Sequence, residues 1–459
     1  MQATDPASTN TIKKDARSIL QAGIAAADPY KAVKRCLIVN EDHIEILLNL
    51  DNPEQKRLGR WSNVHLIAFG KAACAMARAA SEIIPAHLLA DNSIAVTNYE
   101  NECVIDNIEV IGAGHPLPDQ AGLKAAKKCA DIARRAQKDE LVLVLISGGG
   151  SALLPYPADR ITLQEKIAAT DLLLASGANI NQINCVRKHV SRIKGGGLAG
   201  IAQPAALHAL VLSDVLGNDV SAIASGPTVP DTTTYADAVE ILKSRGVWDR
   251  VAANVQDYLE QGKRGSVPET PKPGDEAFKN SSYTLIGSNA LSVKAVMKAA
   301  RKHGYEARLY SDKLGGEARE EAEKLVIYAK AQIEKGLLKP VAFLAGGETT
   351  VTLKGKGLGG RNQEFALAFA CAAQKHGLTG NWTFLSGGTD GRDGPTDAAG
   401  GMVDRGTLHR ITEAGVNPAV ALENNDSYTA LKSSQDLLFT GPTGTNVADL
   451  QILLIHPDF

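Results

Sequence analysis

Short, continuously apolar runs separated by alanine-rich segments dominate the first half of the chain. The runs lie at residues 64–69, 94–97, 108–111, 141–146 and 209–213. Runs of this kind are typical of strands that are covered by helices on both faces, and the alanine-rich segments between them favour helix. The alternation therefore predicts right-handed crossovers and a parallel, doubly wound sheet.

Apolar positions recur at three- and four-residue steps through residues 13–50, which predicts helices before the first of these strands. The pattern weakens near residue 244, and residues 265–274 (GSVPETPKPG) carry three prolines, which indicates exposed, extended chain. A second α/β series begins at Tyr283 with the strand-like run YTLIG.

These patterns predict an α/β protein of two domains. We expect a Rossmann-like N-terminal domain with a mostly parallel sheet at 13–262, a proline-rich linker at 263–280 and a C-terminal α/β domain at 281–459. A chain of 459 residues also exceeds what one hydrophobic core usually supports.

Composition excludes several function classes. The 49 basic and 51 acidic residues nearly balance and only 5% of residues are aromatic, so we expect no nucleic-acid partner. The six cysteines are scattered without a CxxC pair, which argues against a disulfide framework or structural zinc and fits a cytoplasmic protein. The N-terminus lacks an apolar segment for secretion, and no run approaches the ~20 residues that span a bilayer, so no membrane association is expected.

Several strand-like runs end in a small residue followed by glycines. The loops are SGGGS at 147–151, AGG at 345–347 and SGGTD at 386–390. Backbone amides in such loops are accessible to an anion. Lys71 stands in a similar place, where the first strand meets a helix through FGKAA, and it is a candidate phosphate ligand, although most lysines are simply solvated.

A second glycine loop at 355–360 (GKGLGG) precedes Arg361, which begins a helix-like segment. A cation at a helix start beside exposed amides suits a bound phosphate. The loop also satisfies GxGxxG, but the acidic residue expected ~20 positions later on the next strand is missing. A dinucleotide fold is therefore the weaker interpretation.

Loop aspartates offer further chemistry, since a carboxylate can hold Mg²⁺ or accept a hydroxyl proton. Asp214 follows the strand-like run at 209–213, and Asp390, Asp393 and Asp397 lie within SGGTDGRDGPTD. A turn-forming aspartate is the alternative for each, and the spacing does not match an EF-hand. The segment 186–199 (VRKHVSRIKGGGLA) carries four Lys and Arg residues together with His189 and is either an anion-binding face or a solvated one.

Taken together, the ordered motifs resemble the class II, MOFRL-type glycerate 2-kinase family. They are FGKAA, LISGGGSALL, VRKHVSRIKGGGLA, LVLSDVLGNDVSAIASGPTVPD, GSN, GGETTVTLKGKGLGGRNQEFALA, LSGGTDGRDGPTDAAGG and TGPTGTNVADL. The resemblance covers the chain except for its proline-rich segment and implies a MOFRL-type C-terminal domain.

The resemblance implies transfer of a phosphoryl group from ATP, with Mg²⁺, to the 2-hydroxyl of D-glycerate. It places the family's catalytic lysine and arginine at Lys71 and Arg361; Asp214 is our choice to orient or deprotonate the hydroxyl, and Asp214 and Asp390 are our expected metal ligands. The expected ATP-binding residues are Gly148, Gly149, Gly150, Ser151, Lys194, Asn289, Gly357, Gly359 and Gly360. An NAD(P)H-dependent hydroxypyruvate reductase is the alternative, and homodimerisation stays open.

Overall fold

The computed structural model describes residues 6–41 and 43–457, with side chains from residue 10 onward. The chain divides into two compact units. The first unit comprises the described residues between Pro29 and Ile286, and the second combines the described residues up to Asp28 with those from Gly287 onward.

The helices are α1 (Pro6–Ala26), α2 (Pro29–Cys36), α3 (Ala73–Ile83), α4 (Gln120–Arg135), α5 (Gly150–Leu153), α6 (Leu163–Ala175), α7 (Ile180–His189), α8 (Gly197–Ile201), α9 (Tyr235–Ser244), α10 (Ala253–Lys263), α11 (Asn289–Lys302), α12 (Ala318–Glu334), α13 (Arg361–His376), α14 (Thr407–Glu413), α15 (Pro418–Glu423) and α16 (Ser427–Ser433). Among the described residues, none of these helices is both long enough and apolar enough to cross a bilayer.

The strands are β1 (Leu37–Asn40), β2 (His43–Leu47), β3 (Lys56–Gly59), β4 (Val64–Phe69), β5 (Ile94–Asn98), β6 (Glu109–Ala113), β7 (Leu141–Ile146), β8 (Ala206–Leu212), β9 (Ser281–Gly287), β10 (Glu306–Leu314), β11 (Val341–Gly347), β12 (Asn381–Gly388), β13 (Gly400–Asp404), β14 (Leu437–Leu438) and β15 (Asp449–His456).

The main sheet of the first unit has the strand order β6-β5-β4-β7-β8-β9. The pairs from β6 to β8 are all parallel. Strands β4, β7 and β8 are buried at every residue, as their continuous apolar sequence requires. Ile67 and Phe69 of β4 pack with Ala125 and Ala126 of α4 in one core cluster. The predicted parallel, doubly wound sheet is confirmed.

The second unit has a mixed sheet in the order β10-β11-β15-β12-β13-β14. Strands β10 and β11 are parallel, while β15 runs antiparallel to both of its neighbours. The α/β class predicted for the C-terminal half is therefore confirmed, with antiparallel pairs that the pattern alone did not specify.

Residues 37–40 and 43–47 form strands β1 and β2 rather than helix, so the helical prediction for 13–50 is wrong at both places. Along His43–Leu47 the burial alternates, with Ile44 and Ile46 buried and Glu45 between them partly open. Such a short apolar run fits the periodicity of a helix as well as that of a strand. Pairing with β1 and β3 makes it a strand.

The unit boundaries differ from the predicted bounds 13–262 and 281–459. Strand β9 closes the edge of the first sheet next to β8, where His208 Nε2 lies 3.0 Å from Thr284 Oγ1. The proline-rich segment packs on the first unit, because the amide of Asp231 donates to the carbonyl of Pro271 at 2.9 Å. Helix α1 packs in the second unit's core, with Ile19 beside Val296.

Candidate active site

The chain reverses its direction of winding between the two central strands of the first sheet. From β4 it proceeds to β5 and β6 on one side, and from β7 it proceeds to β8 on the other. In open α/β sheets, ligands bind at the carboxyl ends of the strands where the strand order reverses in this way. The residues after β4 and β7 are Lys71 and the loop 147–151, so the predicted catalytic lysine and a predicted glycine loop meet at that point.

The turn that carries Lys71 is fitted to the loop after β7. Gly70 has φ +118, and a Cβ on it would lie 2.2 Å from Ser147 Oγ. The amide of Lys71 donates to the carbonyl of Gly148 at 2.9 Å, and the amide of Ala72 donates to Ser147 Oγ at 3.0 Å. The backbone of Lys71 is thereby fixed by the neighbouring strand end, while its side chain is exposed.

Asp214 follows β8 and lies directly against the same loop. A Cβ added to Gly148 would lie 2.2 Å from Asp214 Oδ2, so only glycine leaves room for the carboxylate. Burial raises the pKa of Asp214, and the charge of Lys71 opposes that shift. The structure thus brings together Lys71, Gly148 and Asp214 from three adjacent strand ends.

Ser151 and Lys194 form the inner wall of this region. Lys194 Nζ donates to the carbonyl and to Oγ of Ser151, both at 3.0 Å, and lies 3.4 Å from the carbonyl of Ala224. Gly149, with φ +84, leads into helix α5, which begins at Gly150. The predicted residues of the SGGGS loop and Lys194 therefore form one contiguous surface.

Two cavities open at these strand ends, and Gly149, Ser151 and Arg187 line both of them. One measures about 410 Å³ and the other about 430 Å³, with Asp214 lining the second. The first cavity is also lined by His115 and Lys166, which the sequence analysis did not single out, and by Arg187, which it placed only in a basic run. The position of His115 after β6 was the one signal that could have found it.

Arg361 begins α13 in the second unit, where two carboxylates hold its guanidinium. Nε and Nη2 donate to the two oxygens of Asp449 at 2.6 and 3.0 Å, and Nη1 donates to Glu348 at 2.7 Å. Burial lowers the pKa of Arg361, but the hydrogen bond and charge of Asp449 outweigh it and raise the pKa overall. The arginine is a fixed cation whose charge is already largely compensated.

The start of α13 is occupied by a carboxylate of the protein itself. Asp393 accepts from the amides of Asn362 and Gln363 at 3.1 and 2.9 Å, and a Cβ on Gly360 would lie 2.3 Å from its Cγ. Burial raises the pKa of Asp393 to about 6, while these hydrogen bonds oppose the shift. The helix start that the sequence suggested for phosphate is therefore satisfied internally.

The glycine loop at 355–360 is also committed to contacts within the second unit. Asn425 accepts from the amides of Lys354 and Gly355, and Asn424 Oδ1 accepts from that of Lys356. The amide of Gly357 donates to the carbonyl of Asn424, and a Cβ on Gly359 would lie 2.3 Å from Ser427 Oγ. Close approach of residues 424–427 accounts for these glycines, so GxGxxG gives no support to a dinucleotide site.

Asn289 and Asp390 lie in the same unit as Arg361. Asn289 is buried and donates to the carbonyls of Val447 and Asp449 at 2.8 and 2.9 Å. Burial raises the pKa of Asp390, and the nearby charge of Asp449 raises it further. Within the described part of the chain, no three His, Cys, Asp or Glu side chains are grouped to hold a metal ion.

Comparison with known proteins shows which family this chain is related to. The model described as a domain of unknown function, DUF4147, matches residues 15–260, and the MOFRL family model matches residues 341–449. A glycerate 2-kinase of Pyrococcus horikoshii is 41% identical over 435 residues, covering 94% of each chain. A D-glycerate 2-kinase of Thermotoga maritima is 41% identical over 449 residues, covering 97% of this chain and 99% of the relative.

A solved structure has the same fold across almost the whole chain. The crystal structure of a glycerate kinase from Thermotoga maritima superposes with a TM-score of 0.85 at 39% identity, covering 97% of this chain and 100% of that one.

Proposed function

Because the chain belongs to the class II, MOFRL-type glycerate kinase family, we propose that it transfers the γ-phosphoryl group of ATP to the 2-hydroxyl of D-glycerate. The observation that carries the proposal is the juxtaposition of Lys71, Gly148 and Asp214 at the strand ends where the winding reverses. Phosphoryl transfer needs positioned groups and dispersal of charge rather than a covalent intermediate, and these residues supply both.

Lys71 acts as the cation for the moving phosphoryl group. Its ammonium makes no hydrogen bond or ion pair with any described residue, so it is available to a ligand. Its backbone is held by the carbonyl of Gly148. An unpaired cation on an anchored backbone is available to stabilise the negative charge of the transition state.

Asp214 orients the acceptor hydroxyl and takes its proton. It lines a cavity with Ser151 and Asn184 that offers room for a small hydroxy acid. The raised pKa of the Asp214 carboxyl makes it a stronger base than an exposed aspartate.

Arg361 is the second cation of the proposal, as the family resemblance implies, and stabilises the transferring phosphoryl group. Three of its five N–H groups are engaged with Asp449 and Glu348, which leaves two for phosphate oxygens. Its side chain is 33% exposed, so those groups are accessible.

The donor set fits Mg²⁺ in the form that kinases use. Mg²⁺ is usually held by one or two carboxylates together with the phosphates of the substrate, and Asp390 would provide such a carboxylate while Asp214 remains free to act as the base. When bound, the ion neutralises phosphate charge.

The function is tested by incubating the protein with ATP and D-glycerate and measuring ADP, with the product identified by phosphorus NMR. We expect ADP release that depends on D-glycerate and a signal of 2-phosphoglycerate. A matched reaction with hydroxypyruvate and NADH reports the reductase alternative through the absorbance of NADH. Oxidation of NADH without ADP formation in the first reaction would contradict the proposal.

Gly148→Ala is expected to lower kcat by about 10²-fold, because a group displaced by about 1 Å loses catalytic effect of that order. The new Cβ would lie 2.2 Å from Asp214 Oδ2 and push the carboxylate away. Steady-state kinetics checks this, and Gly200→Ala is the control, since the nearest atom to its Cβ is 3.8 Å away. Equal kcat values for the two variants would refute the assigned place of Asp214.

A further inference from the structure

Three cationic side chains converge on the cavity of about 410 Å³ beside the proposed catalytic residues. They are Lys166 of α6, Arg187 of α7 and Lys194 of the loop that follows. Lys166 is 5% exposed and Lys194 is 2% exposed, so both ammonium groups are almost entirely removed from water.

None of the three forms an ion pair with a carboxylate of the described chain. Lys166 Nζ donates only to the carbonyls of Arg187 and Val190, both at 3.2 Å, and Lys194 Nζ contacts Ser151 and Ala224. The guanidinium of Arg187 makes no hydrogen bond to any described residue. Asp171, on the cavity wall, acts on it only through its charge.

Burial without a counterion is unfavourable for charged groups. Burial, and then the charge of Arg187, lower the pKa of Lys166 to about 7. Burial, and then the charges of Lys166 and Arg187, lower the pKa of Lys194 well below its ordinary value. An anion in the cavity would relieve this repulsion and favour the charged lysines.

Lys188, which follows Arg187 on helix α7, is a buried lysine that does have a counterion. Lys188 is 6% exposed, and its Nζ lies 3.2 Å from the fully buried carboxylate of Asp231. The fold thus gives a structural lysine an internal partner, whereas Lys166, Arg187 and Lys194 face a cavity instead.

The position of Arg187 indicates which anion belongs there. Arg187 lines both this cavity and the one that contains Asp214. In a 2-hydroxy acid the carboxylate is attached to the carbon that bears the hydroxyl, so a substrate whose hydroxyl meets Asp214 places its carboxylate nearby. Arginine is well suited to carboxylates, which it can bind through two parallel hydrogen bonds.

We propose that Arg187, supported by Lys166 and Lys194, binds the carboxylate of the acceptor substrate and makes the enzyme select 2-hydroxy acids over neutral polyols. The inference rests on the proposed function, since it assigns a subsite within that reaction. The proposal assigns Lys194, which the sequence analysis listed among the ATP-binding residues, to the subsite of the acceptor substrate instead.

The test is Arg187→Met, analysed by KM for each substrate. We expect KM for D-glycerate to rise about 10- to 100-fold, the usual effect of losing a hydrogen bond to a charged group, with KM for ATP unchanged. The preference for D-glycerate over glycerol should fall by a similar factor, and Arg187→Lys should recover part of it. Arg192→Met is the control, because Arg192 is exposed and pairs with Asp159 at 3.1 Å.

A rise in KM for ATP with no change for D-glycerate would assign the cations to nucleotide phosphate and overturn the proposal. Thermal shift with D-glycerate or glycerol alone separates failure of the carboxylate subsite from failure of the proposed function, because the measurement needs no turnover. We expect D-glycerate alone to stabilise the wild-type protein and not Arg187→Met; equal stabilisation of both would overturn the inference even if the kinase assay succeeds. If Arg187→Met does not fold, Arg187→Lys and Lys166→Met are judged by the same two readouts.

Discussion

Lys71→Met is expected to lower kcat for phosphorylation of D-glycerate by about 10²- to 10³-fold, the effect typical of removing one preorganised group that stabilises transition-state charge. Methionine is a linear side chain of similar length that carries no charge. Lys71 is exposed and makes no ion pair with a described residue, so the free energy of unfolding should change by less than about 0.5 kcal/mol.

The matched control for this variant is Lys127→Met, which removes an exposed lysine from helix α4. Kinetics and chemical denaturation are measured on both proteins. If Lys71→Met kept a kcat like that of the control while folding normally, Lys71 would not be the cation of the transfer.

Arg361→Met is expected to destabilise the fold by about 3–5 kcal/mol, the usual cost of removing one partner from a buried ion pair. The side chain of Asp449 is 0% exposed, and its two oxygens both accept from Arg361. Without the guanidinium, the carboxylate stays buried near Asp390, whose pKa its charge already helps to raise.

A double variant separates the structural role of Arg361 from a catalytic one. In Arg361→Met/Asp449→Asn the buried charge is neutralised, so most of the lost stability should return when unfolding is followed in denaturant. Activity should stay low if Arg361 also contacts the nucleotide. Recovery of both stability and activity would show that the arginine serves only to anchor Asp449.

Local patterns were sufficient to predict the first sheet and the residues at its centre. Continuous apolar runs predicted β4 and β7 with the bounds observed, and glycine marked the loop after each of them. Parallel strands bring their carboxyl ends to one edge of the sheet, so the residues that follow β4 and β7, Lys71 and the SGGGS loop, are expected at the same edge.

Contacts between distant segments account for what the sequence did not reveal. The start of α13 resembled a phosphate site because its glycines and Arg361 are local, whereas Asp393, which occupies its amides, comes from a different loop. Within the sequence of α6, Lys166 resembles a surface lysine, but in the fold its ammonium lies against the carbonyls of Arg187 and Val190.

The most direct test of the account is the pH dependence of kcat/KM for D-glycerate in the wild-type protein and in Asp214→Asn. The base must be ionised, and burial raises the pKa of Asp214, so wild-type kcat/KM should fall as the pH is lowered through a value above the ordinary aspartate range near ~3.9. Asp214→Asn should be slower throughout and lack this acid limb. A variant with wild-type rates and the same acid limb would show that another group takes the proton and would contradict the account.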